Sequence, residues 1–171
     1  MSEAKRLFIL YGSQTGNAEE IAMGLAARCT EELKLHNVQC DNLNSTNIFL
    51  DDLKNMASLV IIVCSTTGNG DAPENADRFW RAIKIRSVSK DFFENMPFCV
   101  LGLGDTNYDK FCHMSKSINA RISDLGGKCV KPLTCADEAT GLEETVDPFL
   151  DDCIDLIKKT CVDDHSGSKD M

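Results

Sequence analysis

The sequence predicts a doubly wound α/β protein with a five-stranded parallel sheet and helices on both faces. Three continuous apolar runs, at residues 7–10, 59–64 and 98–101, are bounded by turn residues, as expected of strands buried on both faces. Segments with helical periodicity lie between these runs, so strands and helices alternate along the chain. Right-handed crossover connections turn such an alternation into a parallel sheet.

Five strand–helix pairs follow one another. Residues 38–43 and 128–133 are weaker strand candidates, and a short second helix is predicted near residues 49–56. The other helices are indicated by apolar residues that recur at helical spacing, namely Ile21, Leu25, Cys29 and Leu33, then Phe79, Trp80 and Ile83, then Ile118, Ile122 and Leu125, and last Leu150, Cys153, Ile154 and Ile157. Gly126-Gly127 ends the fourth helix, and Asp147-Pro148 is predicted to begin the fifth.

Small and polar residues follow three of the predicted strands. Residues 12–18 read GSQTGNA, residues 65–71 read STTGNGD and residues 102–108 read GLGDTNY. Ligands of open parallel sheets bind beyond the carboxyl ends of the strands, where these first, second and third loops lie. The first loop runs into a helix, whose N-terminal N–H groups form an anion site. It contains no lysine or arginine, which favours a monophosphate over a nucleoside triphosphate.

The second and third loops supply side chains that suit a flat ring. Tyr108 offers a stacking face, and Leu103 and Phe111 offer apolar walls. A structural role for Tyr108, and a glycine-rich first loop without a ligand, are the alternatives when each loop is considered alone. All three loops together indicate a planar ring with a single phosphate, which suggests FMN.

The loops resemble those of the FMN-binding, flavodoxin-like domain of NADPH-dependent diflavin reductases. The resemblance covers about residues 5–159 and is most specific at residues 12–18, 64–71 and 101–112. It implies strand order 2-1-3-4-5 in a flavodoxin-like domain at residues 1–161, followed by a polar tail or linker start at 162–171. Within the family, FC at residues 111–112 and GLE ahead of VDP at 141–148 look most like methionine synthase reductase.

The resemblance also implies which residues bind the cofactor. The first loop would hold the phosphate, the second and third would enclose the ring, and an acidic residue would follow the fifth strand, with Glu138 as an alternative to Asp137. The expected set is Ser13, Gln14, Thr15, Gly16, Asn17, Ala18, Ser65, Thr66, Thr67, Gly68, Leu103, Gly104, Asp105, Thr106, Asn107, Tyr108, Asp109, Lys110, Phe111, Cys112 and Asp137. Thr67 stands where microsomal members carry an aromatic residue, so a more exposed ring is expected.

The implied function is electron transfer by an oxidoreductase module that has no catalytic side chain and no metal site. FMN would take electrons from FAD in a companion domain, outside this chain, that also holds the NADPH site. It would pass them singly to a haem, iron–sulfur or cobalamin centre of a partner protein. A free-standing flavodoxin is the main alternative, and a flavin-free interaction module is a third hypothesis. Two aspartates, Asp105 and Asp109, and the acidic C-terminal segment at residues 137–164 are expected to lower the reduction potential of FMN.

The charge of the chain excludes several other classes of function. The net charge is −9 and the pI about 4.8, the wrong sign for nonspecific binding of nucleic acid or anionic membranes. Ten of the 27 acidic residues lie at 137–164, as a solvated face or a surface that steers a basic partner. No apolar run approaches the roughly 20 residues of a membrane span, and MSEAKR lacks a signal peptide's apolar core.

The cysteine content agrees with a cytoplasmic protein. There are nine cysteines, an odd number, and no pair has C-x-x-C spacing, so reduced thiols are expected rather than disulfides or a zinc site. Five of them fall on predicted strands or helices and are expected in the core: Cys29, Cys40, Cys99, Cys129 and Cys153.

Overall fold

A parallel sheet organises the chain. The structure is a computed structural model that describes residues 5–45, 50–67 and 69–162. Its strands are β1 (Arg6–Gly12), β2 (Val38–Asn42), β3 (Ala57–Ser65), β4 (Pro97–Gly104), β5 (Lys128–Cys129) and β6 (Thr134–Asp137). All pairings are parallel and the order is β2-β1-β3-β4-β5, with β6 also paired to β4. The predicted doubly wound sheet and its strand order are therefore confirmed.

Helices cover both faces of this sheet. They are α1 (Asn17–Leu33), α2 (Leu50–Met56), α3 (Asp77–Lys84), α4 (His113–Asp124) and α5 (Glu143–Ile157). A 3₁₀ turn at Glu74–Ala76 precedes α3, and a π-helical turn at Lys158–Val162 follows α5. The second helix is confirmed from residue 50 onward, whereas residue 49 lies outside the described residues.

Two apolar clusters, one on each face of the sheet, form the core. Ile61 of β3 packs with residues of α1 and α5, and the adjacent Ile62 packs on the opposite face with residues of α3 and α4. Both side chains are 0% exposed, as expected when successive residues of a strand point to opposite faces and both faces are covered. Burial on both faces of the sheet explains why the apolar runs in the sequence are continuous.

The predicted fifth strand, residues 128–133, is wrong in its extent. The structure has two short strands, β5 and β6, which pair with opposite ends of β4. Pro132 lies between them, and proline has no N–H group to donate to a sheet. The chain resumes pairing only at Thr134, which brings Asp137 beside Gly104 at the end of β4.

The last helix begins earlier than predicted. It starts at Glu143 rather than at Asp147, and Pro148 lies inside it. Glu143 and Glu144 occupy its first turn, where negative side chains suit the positive end of the helix dipole. The predicted end near residues 158–159 falls in the π-helical turn, and the predicted tail lies outside the described residues except for Val162.

Two of the five cysteines expected in the core do not lie there. Cys29, Cys99 and Cys153 are buried, but Cys40 is half-buried and Cys129 is exposed. Cys129 belongs to the two-residue strand β5, which does not carry the chain into the core.

Across residues 5–45, 50–67 and 69–162, the structure contains no helix both long enough and apolar enough to cross a membrane.

Candidate functional site

The loops after β1, β3 and β4 meet in one cleft at the carboxyl edge of the sheet. The cleft has a volume of about 360 Å³. It is lined by Gln14, Thr15, Ser65, Thr66, Thr67, Leu103, Gly104, Asp105, Tyr108, Lys110, Phe111, Cys112 and Glu138. Because β1, β3 and β4 are neighbours in the sheet, three loops far apart in sequence come together here.

The first loop is held in shape by its own hydrogen bonds. The Gly16 N–H donates to Ser13 Oγ at 2.9 Å, and the Gln14 N–H donates to Ser65 Oγ at 3.2 Å. Gly16 has φ +99°, a left-handed conformation that glycine adopts without strain, and α1 begins at the next residue. Within the described residues Thr15 makes no hydrogen bond, so its N–H and hydroxyl groups are available to an anion in the cleft.

Two asparagines that sequence analysis missed support this loop. Asn75 Oδ1 accepts the Ser13 N–H at 2.8 Å. Asn44 in turn joins the chain near residue 75, because its N–H donates to the Asn75 carbonyl and its amide nitrogen donates to the Glu74 carbonyl. Asn44 Oδ1 also accepts the Phe79 N–H at the start of α3. The side chains of Asn44 and Asn75 therefore fix the first loop relative to α3.

The second loop forms a closed turn. Both the N–H and the hydroxyl of Thr67 donate to the Asp71 carbonyl at 3.1 Å, and the Gly70 N–H donates to the Thr67 carbonyl at 2.8 Å. Ser65 connects this loop to the first, since its hydroxyl lies 3.3 Å from the Gly12 carbonyl. Gly68, predicted to bind the cofactor, lies outside the described residues.

Asp137 holds the third loop in place. Its carboxylate accepts the Thr106 N–H at 3.0 Å, the Thr106 hydroxyl at 2.7 Å and the Ala139 N–H at 2.9 Å. These bonds, the one from the Thr106 hydroxyl above all, lower the pKa of Asp137 below its ordinary value. The break of the fifth strand at Pro132 positions β6 for this contact. Asp137 thus shapes the cleft without lining it, whereas Glu138 lines it directly.

The third loop then connects the cleft to α4. Cys112 has φ +53° and directly precedes the helix. The Met114 N–H, in the first turn of α4, donates to Thr66 Oγ1 of the second loop at 3.1 Å. Deeper in the core, the buried Ser115 hydroxyl donates to the Cys64 carbonyl at 2.8 Å. The helix is therefore bonded both to β3 and to the second loop, which follows that strand.

The lining of the cleft combines an exposed aromatic ring with mixed charges. Tyr108 is 57% exposed, so much of its side chain is free to contact a ligand. Leu103 is buried in the wall. Asp105 and Glu138 line the cleft with Lys110, and these are its charged residues in the described part of the chain. Across the same described residues, no group of three or more His, Cys, Asp or Glu is arranged to hold a metal ion.

The structure brings most predicted site residues to the lining of the cleft and leaves others outside it. Those that do not line the cleft are Ser13, Gly16, Asn17, Ala18, Thr106, Asn107, Asp109 and Asp137. Ala18, in the first turn of α1, is 0% exposed and packs in the core. Ser13, Thr106 and Asp137 support the loops by the hydrogen bonds described above. Asn17 lies beside the cleft, where its amide donates to Glu138 Oε1 at 3.4 Å.

This arrangement of sheet and loops defines a recognised class of proteins. The sequence profile of the flavodoxin family matches residues 9–149, and the chain belongs to that family. The fold agrees. A cysteine-to-serine mutant of flavodoxin from Pseudomonas aeruginosa superposes with a TM-score of 0.68 at 26% identity, over 86% of this chain and 95% of that one. Oxidised flavodoxin 2 from Bacillus cereus superposes with a TM-score of 0.69 at 23% identity, over 90% and 99%.

Similar curated proteins are diflavin reductases. NADPH-dependent diflavin oxidoreductase 1 of Xenopus laevis is 39% identical over 86% of this chain, which is 24% of that protein. Human methionine synthase reductase is 33% identical over 85% of this chain and 20% of that protein. The chain thus spans about a quarter or less of these relatives. The resemblance to diflavin reductases is confirmed. A particular nearness to methionine synthase reductase stays a prediction, because of these two relatives the diflavin oxidoreductase is the more identical to this chain.

Proposed function

We propose that this chain is the FMN-binding, electron-transferring domain of an NADPH-dependent diflavin reductase. The observation that carries the proposal is the convergence of three loops on one cleft whose lining combines polar donors with aromatic side chains. Flavodoxins bind FMN, and relatives at 33–39% identity are diflavin reductases. No side chain is assigned a role as nucleophile or general base.

The polar donors of the first loop suit a monophosphate. The N-terminus of α1 supplies N–H groups and the positive end of a 17-residue helix, and Thr15 adds a free hydroxyl. The first loop has no lysine or arginine, so the anion would be held by neutral donors. The Ser13 hydroxyl accepts the Gly16 N–H and does not line the cleft, whereas Thr15 lines it and offers its hydroxyl as a donor.

The aromatic and apolar side chains of the cleft suit a flat ring. Tyr108 would stack against one ring face, and Leu103 and Phe111 would exclude water from the side. Thr67 lines the cleft from the second loop, where it offers little surface for stacking. One face of the ring would therefore stay more exposed than in a site with an aromatic residue on both sides.

When bound, FMN supplies the one-electron chemistry, and the protein sets its orientation and electrostatic surroundings. Asp105 and Glu138 in the cleft wall disfavour added negative charge, and Asp109 lies in the same loop. These residues should lower the reduction potential. The hydrogen bonds from Thr106 to Asp137 fix the third loop, so the aromatic wall is positioned before the cofactor arrives.

The partners follow from the same proposal. Electrons would enter from an FAD domain with an NADPH site and leave to a haem, iron–sulfur or cobalamin centre of another protein, in the cytoplasm. Support comes from the diflavin reductase relatives, of which this chain spans about a quarter. The exposed acids of α5, such as Glu144 and Asp155, offer a surface for a basic partner.

Electron transfer to the bound cofactor tests the proposal. The FMN-loaded chain would be mixed anaerobically with NADPH and the FAD domain of a diflavin reductase, and flavin absorbance followed by stopped flow. Reduction that requires both NADPH and the added domain would support the proposal. Binding of FMN without any reduction by that domain would contradict the diflavin assignment.

A free-standing flavodoxin is the second candidate. The chain covers 95% of the Pseudomonas aeruginosa flavodoxin, so the fold has the size of a complete carrier. A flavodoxin would take electrons from a separate reductase protein, such as a ferredoxin–NADP⁺ reductase. The same stopped-flow experiment with that reductase, compared with the diflavin FAD domain at equal concentration, distinguishes the two by which donor reacts faster.

A further inference from the structure

Two cysteines lie side by side beneath the wall of the cleft, and the proposed function does not use their thiols. Cys112 lies between the third loop and α4 and is buried, whereas Cys135 lies in β6 and is partly exposed. They are 23 positions apart in the sequence, so no short motif connects them. Only the pairing of β6 with β4 brings them together.

The register of the sheet directs both side chains to one face. Cys135 is paired with Gly102 of β4. A Cβ atom placed on Gly102 would lie 2.7 Å from Ser115 Cβ and 3.2 Å from Cys112 Sγ, so that face of β4 is the one covered by α4. Paired residues on adjacent strands project to the same face, and the strands are about 4.8 Å apart. Cys135 therefore projects beside the Cys112 sulfur.

The surroundings make the two thiols unequal. The neighbouring Cys112 thiol, with a smaller effect from the Lys116 ammonium, lowers the pKa of Cys135 although partial burial opposes the shift. The nearness of Cys135, together with burial, raises the pKa of Cys112. The thiolate is the reactive form of cysteine, so Cys135 is the more nucleophilic and Cys112 is placed to resolve its oxidation.

We propose that Cys112 and Cys135 form a thiol pair that a hydroperoxide oxidises to an intramolecular disulfide. The Cys135 sulfur attacks one oxygen of hydrogen peroxide, the O–O bond breaks, and a sulfenic acid and one water form. The Cys112 sulfur then attacks the Cys135 sulfur, the S–O bond breaks, and a second water leaves with the Cys112 proton. Overall two thiols lose two protons and two electrons, and one peroxide becomes two waters.

The disulfide would join the third loop to β6 at one wall of the cleft. It would remove the Cys112 thiol from the lining and restrain the loop that carries Tyr108 and Phe111. Both sulfurs belong to this chain, so the reaction needs no bound FMN. The inference therefore stands or falls separately from the proposed function.

Peptide mapping of the oxidised protein tests this inference. The fully reduced, FMN-free chain would be treated with a small excess of hydrogen peroxide, blocked with iodoacetamide, digested and sequenced by tandem mass spectrometry. The expected product is monomeric, two hydrogens lighter, and linked between residues 112 and 135. Sulfinic acid at Cys135 with a free Cys112, or earlier oxidation of another cysteine, would overturn the proposal.

Two variants serve as matched controls. Cys129→Ser removes an exposed thiol elsewhere on the sheet edge and should leave the 112–135 link unchanged. Cys135→Ser should abolish the link and leave Cys112 reduced, and circular dichroism would verify its fold. Because the mapping itself uses the unaltered chain, a variant that fails to fold does not remove the test. Persistent oxidation of Cys112 in Cys135→Ser, at the rate of the unaltered protein, would contradict the assigned order of attack.

Discussion

Thr15 is the side chain whose removal tests the phosphate end of the cleft most simply. Thr15→Ala should weaken FMN binding by about 1 kcal/mol, roughly fivefold in Kd, because one hydrogen bond to the phosphate is lost. Quenching of FMN fluorescence during titration measures the affinity. Thr30→Ala, an exposed threonine on α1 whose hydroxyl bonds the Ala26 carbonyl, is the control and should bind FMN normally. Equal affinities for both variants would refute the role of Thr15.

Asp137 links the cleft to pH. Its pKa is lowered in the folded protein, so its carboxylate stabilises the fold above the unfolded value of about 3.9 and loses that effect as pH falls through the lower folded value. Asp137→Asn should therefore be less stable than the unaltered protein at pH 6, and the difference should shrink near pH 3. Urea unfolding at both pH values measures it.

The control for this prediction is Asp147→Asn, an exposed aspartate on α5. It takes no part in the hydrogen bonds that Asp137 accepts, so its effect on unfolding should be small at pH 6. A stability difference for Asp137→Asn that stays constant from pH 6 to pH 3 would show that the carboxylate charge is not what Thr106 and Ala139 stabilise.

At the scale of elements, the contact between β4 and α4 depends on the absence of a side chain at Gly102. A Cβ there would lie 2.7 Å from Ser115 Cβ, so Gly102→Ala must push the helix away. We expect a loss of about 1–3 kcal/mol in the free energy of unfolding, the usual cost of overpacking a core. Urea unfolding with a shared slope for both proteins gives the value.

Gly24→Ala is the matched control for this contact. Gly24 lies within α1, and no atom lies within 4 Å of a Cβ placed on it. Alanine favours helix over glycine, so the variant should gain about 0.5–1 kcal/mol. If Gly102→Ala were as stable as Gly24→Ala, the tight packing of α4 against β4 would be refuted.

The elements that the sequence predicted well are those with a dominant local cause. β1, β3 and β4 are buried on both faces, so their apolar runs mark them, and Gly126, with φ +93°, ends α4 as the sequence predicted. The fifth strand was predicted wrongly because its short apolar pattern concealed the effect of Pro132. Strand extent there depends on which N–H groups can pair with β4, which is a property of the assembled sheet.

As with the strands, local sequence predicted part of the site, and long-range contacts determine the rest. Loop composition was enough to predict Thr15, Ser65 and Tyr108, which line the cleft. Asn44 and Asn75 were missed, because an asparagine has no local sign that its side chain will bond a residue 30 or 62 positions away. Whether Asp137 or Glu138 faces the cleft depends on the register of β6, which the sequence left open.

At the scale of the whole molecule, the acidic C-terminal segment should govern association with basic proteins. Some of its acids are paired, as Asp151 is with Arg28 and Asp152 with Lys131, but these pairs are exposed and contribute little. Electron transfer from the reduced domain to cytochrome c, a basic haem protein, should slow by about tenfold or more from 10 mM to 500 mM salt. Stopped-flow absorbance of the haem measures the rate.

A charge variant separates this segment from the remaining acids. Glu144→Gln combined with Asp155→Asn removes two exposed charges of α5 and should reduce both the rate at low salt and its salt dependence. Glu31→Gln, an exposed acid of α1, is the control and should change neither by as much. An electron-transfer rate of the unaltered protein that does not change with salt would contradict electrostatic steering by this segment.

The central claim is that the loops after β1, β3 and β4 form one FMN site, and a crystal structure of the chain grown with FMN tests it most directly. We expect one FMN per chain, with its phosphate at the N-terminus of α1 beside Thr15 and its ring against Tyr108. FMN bound elsewhere, or a cleft without FMN at saturating concentration, would contradict the account.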